Sequence, residues 1–131
     1  MGNRLLLVLV VAIVAGCGST ARHETARTTT SAPRLRPIEI DRPAWDSTVH
    51  SPFHVSGTAS VFEATLVIEL RTPAGVVARR TVTASEGAPG RGTFDATFTA
   101  DPGKIVVAAY APSAANGQPQ HEVDVPITVA G

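Results

Sequence analysis

The chain has one cysteine, Cys17, and a single cysteine cannot close a disulfide within its own chain. Any domain after it must hold together by apolar burial alone, even in an oxidising compartment where a bridge would be permitted. Lysine is nearly missing: Lys104 is the one lysine among eleven basic residues, and these balance eleven acidic ones. No net field draws the chain to nucleic acid or to an anionic surface, so nucleic acid is set aside as a partner. Aromatic residues are only 5% of the chain, which leaves Trp45 and Tyr110 as single large rings. No apolar run approaches the ~20 residues that cross a bilayer as a helix. A Gly-x-Ser-x-Gly nucleophile elbow is absent, and so is any nucleotide or flavin motif. Neither catalysis nor a cofactor is expected.

The N-terminus does carry a signal. Arg4 supplies a positive start, and Leu5 to Ala15 form an unbroken apolar run of eleven residues, the length of a secretory core rather than of a membrane span. It ends in Val14-Ala15-Gly16-Cys17, which resembles the lipobox of bacterial lipoproteins. That resemblance implies a signal peptide over residues 1–16, cleavage between Gly16 and Cys17, and a diacylglyceryl group, with palmitate-type chains, on the Cys17 sulfur. A thiol suits this role because its thiolate is a good nucleophile, and two acyl chains anchor stably where one binds only marginally. The expected location is the extracytoplasmic side of the cell membrane, with the bilayer as a partner through Cys17.

Residues 17–37 are rich in Ser, Thr, Ala, Arg and Pro and have no apolar period, the composition of a disordered tether. Beyond Pro37 the period becomes two. Val123, Val125, Ile127 and Val129 alternate with polar residues, as do Phe94, Ala96 and Phe98, Leu66, Ile68 and Leu70, and Ile105, Val107 and Ala109; these are half-buried strands. Ile38 to Asp41, Phe53 to Ala59 and Val76 to Ala84 make seven. Thr72-Pro73-Ala74-Gly75 and Asp101-Pro102-Gly103 suit tight hairpins, and Asn116-Gly117 marks a longer one. The reading is all-β: a seven-stranded antiparallel immunoglobulin-like β-sandwich over residues 38–131, with no helix. Pro126 interrupts the last strand and cannot donate to a ladder, so that strand is expected at an edge or with a bulge there.

Several constellations invite chemistry and are read as structural. Gly87 to Gly92 is glycine-rich, but a strand follows it, whereas phosphate loops feed a helix N-terminus; it is read as a hairpin loop. His23, His50, His54 and His121 lack zinc-ligand spacing, and no metal site is expected. Glu63 and Glu122 are the one acidic pair that the topology could bring together, and they are read as solvated or salt-bridged acids. Arg79-Arg80 places a charge on each face of a strand, so one stem must snorkel or pair. The connections around Phe62, Gly87 to Gly92 and Pro112 to Gln120 should gather at one end of the sandwich, where the tether also enters. There Phe62, Glu63, Arg91 and His121 form the candidate binding surface, an apolar anchor ringed by both charges.

Segments from Ser51 to Leu66, from Gly87 to Phe94 and from Gly117 to Ile127 resemble, in order, the immunoglobulin-like domain of bacterial spore germination, the likeness running from about Ile38 to Val129. The family favours Pro-Gly in the turn before Val49, where this chain has Trp45-Asp46. The resemblance implies a non-catalytic extracytoplasmic module. Two functions are open: docking of another envelope protein, or binding of cell-wall glycan through Trp45 or Tyr110.

Overall fold

A computed structural model describes residues 34–131. The expected signal peptide, the Gly16–Cys17 cleavage point, the lipidated Cys17 and the tether up to residue 33 lie outside the described residues. The domain is built from eight strands: β1 Ile38–Arg42, β2 Thr48–His50, β3 Phe53–Ala59, β4 Thr65–Thr72, β5 Gly75–Thr83, β6 Gly92–Phe98, β7 Gly103–Pro112 and β8 Pro119–Ala130, with a single 3-10 turn at Phe62–Ala64. Among the described residues no helix is long and apolar enough to cross a membrane.

The strands form two sheets, β1-β3-β6 and β2-β8-β7-β4-β5. Their inner faces carry the alternating apolar residues that the period of two predicts. Val55, Leu66, Ile68, Leu70 and Val107 are fully buried, and Phe94, Phe98, Val125, Ile127 and Val129 nearly so. Phe53 and Phe98, opposite each other on β3 and β6, stack with ring centroids 6.4 Å apart, a spacing at which aromatic pairs add to simple burial. Gly57 lets the first sheet close: a Cβ there would lie 1.9 Å from the Glu39 carbonyl oxygen of β1. With no disulfide, this interdigitated layer is what opposes the chain's conformational entropy.

The architecture corrects the expected sandwich in two ways. An eighth strand, β2, pairs parallel with β8 through Thr48↔Thr128 to His50↔Ala130, so the five-stranded sheet is mixed. Three residues are too few to show a period, and a parallel rung gives no hairpin signal. Secondly, neither Asp101-Pro102-Gly103 nor Gly87 to Gly92 closes a hairpin. The first joins β6 to β7 and the second β5 to β6, each crossing from one sheet to the other.

Pro126 lies neither on a bare edge nor in a bulge. It faces the turn before β2: the Asp46 amide donates to the Pro126 carbonyl at 2.8 Å, and the Thr128 amide donates to Ser47 at 2.9 Å. A missing N–H at Pro126 thus coincides with the point where β2 pairing stops. The bulge of this ladder falls further back, opposite Tyr110, where Ala109 pairs with Val123 and Ala111 with Gln120. His121 absorbs the extra residue with a left-handed φ of 57°.

Candidate functional site

Strand directions gather the Phe62 turn, the Ser85–Arg91 loop and the β7–β8 turn at one end, where β1 also begins. Phe62 is 68% exposed on a turn whose next two residues, Glu63 and Ala64, both have left-handed φ. Non-glycine residues rarely hold that conformation, and it persists only where the surroundings fix it. Here they do. The Ala64 amide bonds the Val61 carbonyl at 3.2 Å, the Ala88 amide the same carbonyl at 2.8 Å, and the Ala84 amide the Ala64 carbonyl at 2.8 Å. The ring is therefore presented on rigid backbone, with the exposed Glu63 beside it.

The other two residues of the expected surface have different surroundings. Arg91 is half-buried and reaches toward the three-stranded sheet, donating to Thr58 Oγ1 at 2.9 Å and to the Arg36 carbonyl; Glu39 lies 4.0 Å away. It clips the incoming chain to β3. His121 is exposed on β8, two strands from the Phe62 turn within the sheet. Glu122 is bound to Arg71, not to Glu63. Trp45, 69% exposed, stands away from the Phe62 end, in the turn whose Asp46 amide bonds Pro126 within β8.

Sequence reasoning missed the outer face of the five-stranded sheet. Glu69 points away from the core yet is only 3% exposed. Its carboxylate accepts from Arg71 Nε at 2.8 Å, Arg79 Nε at 2.7 Å and the Tyr110 hydroxyl at 3.0 Å. Arg71 also donates to both oxygens of Glu122, at 2.7 and 3.4 Å, and approaches Asp124 at 3.9 Å. Burial alone would raise the Glu69 pKa, but the hydrogen bonds from Arg71, Tyr110 and Arg79 outweigh it and hold the carboxyl below its ordinary value. Asp124 goes the other way: burial and then the Glu122 charge push it up, against Arg71. Burial, then Glu69, raises Tyr110, and the Glu122 hydrogen bond raises Arg71 despite burial.

Below this network the same face forms a groove of about 510 Å³. Val106 and Pro126, opposite each other on β7 and β8, make its apolar floor. Arg71 and Lys104 contribute cations, Asp46 and Asp124 anions. A period-two reading places Asp124 and Pro126 on one face, but nothing local in the sequence shows that the Asp46 turn folds beside them.

No curated protein matches the chain. The model of the family described as the immunoglobulin-like domain of bacterial spore germination matches residues 37–118, from the residue before β1 into the β7–β8 turn, and the chain belongs to that family.

Proposed function

We propose that the chain is a non-catalytic, lipid-anchored, extracytoplasmic module that docks another protein of the cell envelope with the Phe62 end of its sandwich. The observation that carries this is the exposed Phe62 ring on backbone fixed by three hydrogen bonds. A rigid aromatic loses little conformational freedom on binding, which is why such residues dominate interfaces. The Gly16–Cys17 motif supports the anchor. With a photoreactive phenylalanine analogue at position 62, the anchored protein should yield a defined protein adduct in intact cells. The same analogue at exposed position 77 should not. Equal adducts at both positions, or none, refute the docking role. Cys17→Ser should move the protein from the detergent to the aqueous phase; unchanged partitioning refutes the anchor.

The exposure of Trp45 favours a second reading, in which that ring stacks on a cell-wall sugar. Retention on isolated cell-wall glycan that is lost in Trp45→Ala, with Phe62→Ala unaffected, selects it.

A further inference from the structure

The groove on the outer face of the five-stranded sheet has charges of unequal standing. Arg71 is committed to Glu69 and Glu122, and Arg79 to Glu69. Asp124 is then a third carboxylate on two guanidinium groups, reached only by the long 3.9 Å approach to Arg71. Asp46, held beside Pro126 by its own backbone amide, has no ion pair among the described residues, and neither has Lys104. Asp124 and Asp46 thus flank the Pro126 part of the apolar floor, Asp124 met only by a guanidinium already shared with Glu69 and Glu122 and Asp46 by no ion pair among the described residues. Lys104 lies on β7 opposite Thr128, two residues further along β8 than Pro126.

We infer that this groove binds a lysine side chain of an extended peptide, its aliphatic stem lying on Val106 and Pro126 and its ammonium between Asp124 and Asp46. The two carboxylates come from different segments and offer no planar pair for a guanidinium fork, whereas the compact ammonium, with three donors, can bond acceptors from separate directions. The floor supplies contact for the methylenes, as long cationic side chains commonly use. A stem too short to cross the floor leaves its charge in water. This site is independent of the Phe62 docking surface and of the anchor.

The test uses the full-length protein in detergent micelles and the probe Nα-acetyl-lysine methylamide, followed by amide chemical shifts. Saturable shifts should centre on Val106, Ile127 and Thr128. Affinity should fall about tenfold in Asp124→Asn, the scale of one charge-assisted bond, and fall likewise in Asp46→Asn with an unchanged melting temperature. The uncharged isostere Nα-acetyl-norleucine methylamide should bind at least about tenfold more weakly. Binding of the lysine probe should also strengthen as pH rises through the Asp124 titration. Equal affinity for the norleucine probe, or an Asp124→Asn variant that binds as tightly as the parent, overturns the proposal. So does displacement of the lysine probe by millimolar calcium with matching shifts, which would make the groove a cation site.

Discussion

Glu69 and Arg79 face each other across the β4–β5 ladder with 2.7 Å between carboxylate and guanidinium, and they do so because the ladder slips by one residue near its turn. Leu70 pairs with Ala78 but Arg71 with Val76, leaving Val77 as the extra residue. That slip decides the roles of two adjacent arginines. Arg79 falls on the outer face with Glu69. Arg80, opposite Ile68, falls on the inner side, where its guanidinium lies 5.5 Å from the centre of the Phe98 ring and shields the margin of the sandwich.

Removing the hub of this network should be costly. Glu69→Ala leaves Arg71 without its second carboxylate and Tyr110 without its acceptor, and the loss should reach about 3 kcal/mol, as when one partner of a buried pair is deleted. Glu69→Gln, which keeps an acceptor, should lose less. Urea denaturation of the two variants checks the order; equal and negligible losses would show the network to be ornamental.

Acid should weaken the domain through the same residue. The folded pKa of Glu69 is lowered from 4.5, so the unfolded chain takes up the proton first. Its contribution is full above that value and is lost as pH falls through the lowered one. Asp124 has the opposite sign, since its folded pKa is raised from 3.8 and protonation relieves it. Stability measured from pH 7 down to pH 2, an interval spanning the ordinary carboxylate range, should therefore drop less steeply in Glu69→Gln and more steeply in Asp124→Asn. A parallel set of three curves contradicts this.

The core offers a direct check of the inner faces. Phe94→Ala and Val125→Ala remove side chains that are 4% and 5% exposed, and each should cost about 2 to 5 kcal/mol, with Val125 at the lower end. Values below about 1 kcal/mol by chemical denaturation would mean that these positions relax without leaving a cavity.

Arg91→Ala should act locally. It frees the Arg36 carbonyl and Thr58 at the cost of about 1 kcal/mol, and amide exchange should accelerate along β1 while the β7–β8 ladder keeps its protection. Acceleration spread evenly over both sheets would show that Arg91 is no clip.

Seven strands were legible because each contains at least a few alternations of apolar and polar residues, and the buried set from Leu66 to Val129 follows from that pattern. β2 was not, since Thr48–His50 borrows its order from β8. The exposed Phe62 turn could be placed from the chain order of the loops, whereas the partners of Arg91 required knowing that β1 lies beside β3. The outer-face network was hidden more deeply. Counting back from the Thr72–Gly75 turn without a slip puts Ala78, not Arg79, opposite Glu69, and no residue near Val77 announces a bulge.

Ile38 of β1 lies at the Phe62 end, and the last residue, Gly131, lies beside Pro102 at the other. A pull applied to the chain ahead of Arg34 and resisted at the far end therefore runs along β1, antiparallel to β3. The rungs between them are loaded together in shear and cannot be peeled one by one. Under tension, the force at which the domain yields should be set by the rate of breaking that one ladder, which single-molecule stretching would read as a yield force lowered by Arg91→Ala, the variant that unclips its leading end.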